Sequence, residues 1–327
     1  MNPIKSILYY VEDEVDLAAL GHVVEIARST GARITVGTVV KPAHLQVLFT
    51  RDNFDVQEVE RLLIAHRERH LDEVVRGVGI TDVMIDTRVF VGDPVYAIVE
   101  AVTKGDYDVL AKLPTHEDGF QQHIFGTMDM RLMRACPCPV FIGRVKPTGY
   151  SERIVAAIDY DEGDASKTTL NEKILESIAH MLSDQFSMVK QAYIAHAWSL
   201  YGESLLTAKA ETAPPARLQK AMHQEENKRR EWLAELVKQF KSSLPAGDAE
   251  TFNPELELLH GDPVTTIPEL VHHLNADVLA MGTLSRSGLG GMLIGNTAEA
   301  ILNRVNCSVV TFKPQGFESP IPRHSRR

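Results

Sequence analysis

At 327 residues, 44% hydrophobic and 24% charged, the chain has the composition of an ordinary globular protein and the length of two domains. Its 44 acidic against 34 basic side chains give a net charge of −10, which excludes a broad basic face for nucleic acid. No apolar run reaches the roughly 18 residues that span a bilayer, and the start, Met1-Asn2-Pro3-Ile4-Lys5, lacks a signal-peptide core. Three cysteines, Cys136, Cys138 and Cys307, fit a reducing compartment, so a cytoplasmic protein is expected, without membrane or direct nucleic-acid partners. Cys136-Pro137-Cys138 brings two thiols close but lacks the further ligands of a zinc site, and both read as small apolar residues.

The elements repeat. Ile7-Leu8-Tyr9-Tyr10-Val11-Glu12 is a first strand, matched by Ile154-Val155-Ala156-Ala157-Ile158-Asp159 at an offset of 147. Gly92 to Ala111 returns as Gly261 to Ala280, with 11 of 20 positions identical at an offset of 169. At that offset Gly126 falls on Gly295, and Cys138-Pro139-Val140 falls on Cys307-Ser308-Val309. The second copy thus carries about 22 extra residues between these blocks. The expected organisation is a first domain over 1–146, a linker over 147–151 marked by Pro147 and Gly149, a second domain over 152–314, and a disordered tail over 315–327.

In the second copy the strands are expected at Arg153–Ile158, Gln191–Trp198, Glu255–His260, Asp277–Met281 and Ser308–Phe312, with helical segments between. The extra residues form a helical insertion over about 202–248, in which Leu218, Met222, Leu233, Leu236 and Phe240 make an apolar stripe against mixed charges. Such alternation gives an α/β fold: two tandem copies of a five-stranded open parallel sheet with helices on both faces.

Ligands of such sheets lie beyond the carboxyl ends of the strands. The loop after the fourth strand of copy two runs from Met281 to Glu299. Its Gly282 and Gly295 allow close backbone approach, Ser285 and Thr297 add hydroxyl donors, Arg286 adds positive charge, and a helix starts near Asn296. Together these make a phosphate cradle. Asn296 with Glu299 reads equally as a helix-capping pair. Asp159 at the end of the first strand can accept hydrogen bonds from an adenine amine or a ribose, or be taken up in a local turn; Gly261 in His260-Gly261-Asp262-Pro263 reads as a tight turn. Burial is expected for His196 and Trp198. Copy one departs at the same places: Leu113 stands for Gly282, His116 for Ser285 and Glu12 for Asp159, while Gly126-Thr127 keeps the helix start. It reads as a degenerate, mainly structural copy. The chain has no G-x-x-x-x-G-K-[ST] loop and no complete G-x-G-x-x-G, which sets aside a phosphate-loop NTPase and a dehydrogenase.

At Val91-Gly92-Asp93-Pro94, His260-Gly261-Asp262-Pro263, Gly282-Thr283-Leu284-Ser285-Arg286-Ser287-Gly288-Leu289 and Gly295-Asn296-Thr297-Ala298-Glu299, the sequence resembles the tandem members of the universal stress protein family. That resemblance implies an adenine nucleotide alpha hydrolase-like fold with strand order 3-2-1-4-5, so that Asp159 and the Gly282 loop share one crevice. It also implies that Ala157 and Ile158 flank the nucleotide, that Ala197 approaches the adenine, and that Met281 opens the cradle. The family pattern G-x-x-G, nine residues, G-[ST] is met at Gly282 and Gly295, with Ser285 for the second glycine and Asn296 for the hydroxyl residue. Further implications are ATP or ADP with Mg as ligand, pairing of Ser308–Phe312 with Pro139–Gly143 as an intramolecular pseudo-dimer, and homodimers. The implied role is a non-catalytic, ligand-responsive factor for survival under stress, including DNA damage, with ATP hydrolysis at most weak. A nucleotide-independent scaffold for proteins or an apolar small molecule is the alternative.

Overall fold

The computed structural model describes residues 4–41, 56–114, 125–144, 153–160, 163–183, 189–200, 203, 216–283 and 295–321. They fall into two units. The first comprises Met1–Tyr150, Thr283–Gly295 and Ser308–Arg327; the second comprises Ser151–Gly282 and Asn296–Cys307. Among the described residues no helix is long and apolar enough to cross a membrane.

In the first unit the elements are β1 (Ser6–Tyr10), α1 (Leu17–Thr30), β2 (Arg33–Val40), α2 (Val56–Gly77), β3 (Ile85–Val91), α3 (Pro94–Ala101), β4 (Val109–Lys112), α4 (Thr127–Ala135) and β5 (Val140–Ile142). The strands lie in the order β3-β2-β1-β4-β5, all parallel, with β1 buried along its whole length as a central parallel strand must be. Val23, Val24 and Ala27 of α1 and Leu71 and Val75 of α2 close over Ile7, Tyr9, Ile34 and Val36.

The second unit contains β6 (Arg153–Ala157), α5 (Ala165–Leu182), β7 (Gln191–Trp198), α6 (Ala216–Ser243), α7 (Ala246–Thr251), β8 (Glu255–His260), α8 (Pro263–His273), β9 (Val278–Gly282) and α9 (Asn296–Leu302). Its strands are parallel in the order β8-β7-β6-β9. The fifth strand of the second copy, β10 (Ser308–Phe312), belongs to the first unit, where it runs antiparallel to β5 with Val309 opposite Ile142 and Thr311 opposite Val140. This pairing covers the edge that β5 would otherwise expose.

The Gly-Asp-Pro repeat is a strand-to-helix device in both copies. Gly92 and Gly261 have φ of 133° and 138°, a conformation that side chains disfavour, and each amide reaches back to the neighbouring strand, at Val40 and Trp198. Asp93 and Asp262 then cap α3 and α8, accepting from Val95 N and Val264 N, and the proline takes the first helical position, where no N–H is needed. A second shared device stands 16 residues further on. Asp108 accepts from the backbone of Lys5 and Ser6 at the start of β1, and Asp277 from that of Arg153 at the start of β6. This clamp moves the fourth strand of copy two to Val278–Gly282, one residue beyond the expected Asp277–Met281. The first strand stops at Ala157 rather than Ile158, whose N–H still reaches Ala195 O.

In the insertion, α6 buries Leu233, Val237 and Phe240, with Phe240 edge-on to Phe252. Leu218, Met222 and Leu236 of the expected stripe are only partly covered, and Val237 replaces Leu236 at its centre.

Candidate functional site

The carboxyl ends of β6, β7 and β9 make the crevice of the second unit. Ala157 lies between Ala195 of β7 and Met281 of β9 in the ladder, so the chain beyond Ala157 emerges beside Gly282. Three residues of one face of α5 receive it, at the spacing that places side chains together on a helix. Asn171, 2% exposed, accepts from Asp159 N–H through Oδ1 (3.2 Å) and donates through Nδ2 to Asp159 O (2.7 Å). Lys167 Nζ stands 2.9 Å from Asp159 Oδ2 and donates to Tyr160 O at 2.9 Å. Leu170 covers Gly282: a Cβ added there would meet Leu170 Cδ2 at 2.6 Å. Asp159 is therefore rigidly placed, with its carboxylate 46% exposed at the strand ends and already sharing charge with Lys167.

Beside it lies an aromatic cluster. Tyr160 meets Trp232 of α6 edge-on at 5.0 Å, and His196 meets Trp232 at 5.1 Å. The Arg229 guanidinium lies 3.7 Å from the Tyr160 ring centre while pairing with Glu225 at 2.6 Å. His196 is 2% exposed, and its Nδ1 lies 3.2 Å from Ile158 O. Burial holds its pKa below the ordinary histidine value, and the charges of Arg229 and Lys167 act the same way, against Asp159 and the Ile158 carbonyl. The ring is then neutral, with Nδ1–H donating to Ile158 O and Nε2 a buried acceptor that meets no donor among the described residues.

Of the residues singled out from the sequence, Ala157, Ile158, Asp159, Ala197, Met281 and Gly282 fall at the ends of neighbouring strands in this unit. Asn296 and Thr297 are exposed in the first turn of α9, with Ala298 buried beneath. Asn296 is thus inside the helix rather than its cap. Gly295 belongs to the first unit, where it donates to Thr283 O at 2.9 Å. Ser285 and Arg286 lie outside the described residues. Lys167, Leu170, Asn171, Tyr160 and Trp232 were not legible as site residues, because neither spacing nor composition brings α5 and α6 to Asp159.

The first unit answers the same positions with a buried ion pair. Lys112 and Asp129, 2% and 0% exposed, pair directly; Lys112 Nζ also lies 3.1 Å from Glu12 Oε1 and donates to Leu113 O at 2.6 Å. Asp129 Oδ2 accepts Gly126 N–H at 3.1 Å, closing the start of α4. A cleft of about 260 Å³ stands beside it, lined by Tyr9, Tyr10, Glu12 and Lys112 among others. Burial pushes the Tyr10 phenol up, with Glu12 and Asp13 adding to it. The place of a bound anion at this helix start is taken by the protein's own carboxylate. The sequence signal was available: Lys112 and Asp129 correspond to Met281 and Ala298 at the 169 offset, an apolar pair exchanged for two opposite charges.

The model of the Universal stress protein family matches residues 3–144 and again 151–313. The chain is 25% identical over 228 residues to Universal stress protein E of Photorhabdus laumondii, covering 70% of this chain and 68% of that one. It is 23% identical over the same length to Universal stress protein E of Escherichia coli K12, covering 70% and 67%. Among solved structures, a protein of unknown function from Pseudomonas aeruginosa PAO1 superposes with a TM-score of 0.67 at 20% identity, over 96% of this chain and 94% of that one. A universal stress protein from Archaeoglobus fulgidus does so with a TM-score of 0.59 at 16% identity, over 96% and 97%. These two likenesses bear on the fold. With both halves matched by one family model, the chain belongs to the universal stress protein family as a tandem member.

Proposed function

We propose that this universal stress protein is a ligand-responsive factor of the stress response whose second unit takes an adenine nucleotide at the ends of β6, β7 and β9. The observation that carries the reading is Asp159: its backbone is held by Asn171 and its half-exposed carboxylate pairs with Lys167, next to Gly282, where neighbouring strands of a parallel sheet end. A carboxylate held this way accepts hydrogen bonds from ribose hydroxyls or a base amine, and the Lys167 ammonium supplies charge for phosphate oxygens. Asn296 and Thr297 at the start of α9 complete the cradle in this reading, with Mg beside the phosphates. Copy one, filled by Lys112 and Asp129, takes no nucleotide. Survival of stress, DNA damage included, follows through a partner protein rather than through nucleic acid, given the net charge of −10.

Titration calorimetry with ATP and ADP, with and without Mg, tests the reading. Binding that Asp159→Ala weakens supports it; no heat at millimolar nucleotide overturns it. One observation favours the nucleotide-independent scaffold instead: Leu170, Tyr160 and Trp232, each partly exposed, offer apolar and aromatic surface near Asp159. Copurification from a native lysate without nucleotide, with a protein or an apolar small molecule recovered, is the outcome that reading requires. Phosphate release from ATP, compared with Gly282→Val, tests for weak hydrolysis.

A further inference from the structure

Cys136 and Cys138 are one residue apart, between the end of α4 and the start of β5, and their sulfurs are 3.4 Å apart. Cys136 is fully buried and Cys138 is partly exposed as a residue, which makes Cys138 the member of the pair nearer to solvent. The Cys138 thiol donates to Pro139 O at 3.4 Å, which leaves its sulfur to accept from the Cys136 thiol. The duplication provides an internal comparison. Copy two keeps one cysteine, Cys307, at the position of Cys138 and has Val305, 1% exposed, at that of Cys136. An apolar side chain of similar size therefore meets the packing demand at this buried position, and the second thiol of copy one is not needed for the fold.

We propose that Cys136 and Cys138 are a dithiol modification site, converted by a hydroperoxide to an intramolecular disulfide. The balance is as follows. The Cys138 sulfur attacks the peroxide oxygen, the O–O bond breaks, and Cys138 sulfenic acid forms with release of water or an alcohol. The Cys136 sulfur then displaces the hydroxyl of the sulfenic acid, forming the S–S bond and releasing a second molecule of water. The protein loses two hydrogens and the peroxide is reduced by two electrons. Closing from 3.4 Å to the roughly 2.05 Å of a disulfide needs side-chain rotation rather than transport of either residue. A ring closed across one intervening residue is strained, so the disulfide is readily reduced and the dithiol is the resting form. Burial, with the Cys136 thiol as the second cause, pushes the Cys138 thiol well up. Thiolate is then scarce at neutral pH, which makes the site slow and responsive to sustained oxidant rather than to traces.

The full chain is exposed to hydrogen peroxide, denatured, alkylated and weighed intact. Reduced protein takes three alkyl groups. The expected product takes one, on Cys307, has lost two hydrogens, and yields a single peptide containing Cys136 and Cys138 that is unalkylated, lacks the two hydrogens and regains them with dithiothreitol. Oxidation accelerates as pH rises. Cys136→Val, the residue copy two already carries, is expected to take two alkyl groups or to carry oxygen on Cys138, with no intramolecular link. Three alkyl groups on the wild type after exposure that oxidises free cysteine completely, or a link that includes Cys307, overturns the proposal. So does Cys138 sulfinic acid with Cys136 still alkylated.

Discussion

Lys112 at the end of β4 and Asp129 in the first turn of α4 form a buried ion pair at the two positions where the second copy has Met281 and Ala298. One duplicated scaffold has thus been finished in two ways, with opposite charges in one unit and apolar side chains in the other. Each solution is complete only as a pair, because a buried charge without its partner keeps its desolvation cost and loses its compensation.

Asp129→Ala should therefore destabilise the first unit by about 3–5 kcal/mol, since the buried Lys112 loses the carboxylate it pairs with directly and Gly126 N–H loses its acceptor. Lys112→Met combined with Asp129→Ala, the pair copy two uses, should recover most of that loss. Urea denaturation of the wild type and the two variants measures it; equal losses for the single and double variants would show that the ion pair is not the determinant.

Several elements were plain in the sequence because they are local. The Gly-Asp-Pro turn is encoded in three consecutive residues, each with its own backbone reason, and the repeat exposes the sheet unit. The strands expected at Arg153–Ile158 and Asp277–Met281 came from the alternation of apolar runs with helical patterns, and the structure shifts their ends to Ala157 and Gly282. What alternation cannot carry is contact between distant segments. Lys167 and Asn171 look like ordinary helix-surface residues until α5 meets Asp159, and Trp232 looks like a charged-helix tryptophan until it meets Tyr160 and His196. The exchange at 112 and 129 was readable from the repeat itself, but only by comparing the copies position by position.

Gly282 has two separable roles. Its backbone is not in a left-handed conformation, so a methyl group costs only what Leu170 Cδ2, 2.6 Å away, demands. Gly282→Ala should lower stability by about 1–3 kcal/mol through overpacking, and Leu170→Ala should be less than additive with it. Denaturation of both single variants and the double variant gives this coupling. Nucleotide titration of the double variant isolates the other role, because a loss of binding that survives relief of the clash belongs to the ligand.

His196 should make the second unit sensitive to acid. In the folded chain burial keeps its pKa below the usual value, whereas the unfolded chain binds a proton below about pH 6.5. The unfolded state then holds more protons, so stability is lost as the pH falls below 6.5, with a slope of up to about 1.4 kcal/mol per pH unit for one group. His180, also lowered by burial, acts in the same direction against the charge of Asp248. Urea midpoints between pH 7.5 and 5 should fall more steeply for the wild type than for His196→Phe. Parallel curves would mean that the ring is protonated in the folded protein.

Lys313 should give an alkaline signature of the same origin. Burial lowers its pKa from 10.5 to about 7, with Cys136 opposing and Arg134 reinforcing the shift. The amine is 4% exposed and donates to Met133 O at 2.6 Å and to Thr283 Oγ1. Between about pH 7 and 10.4 the folded amine is neutral while the unfolded one is still charged, so the unfolded chain binds more protons and stability rises with pH across that window. Lys313→Met has no such proton to lose. The stability of the wild type relative to this variant should therefore climb from pH 7 towards pH 10, by up to about 1.4 kcal/mol per unit. Taking the difference cancels the tyrosines and other lysines that titrate in both proteins. A difference that stays constant over this range would place the charged ammonium, held by its two oxygen acceptors, in the folded state throughout.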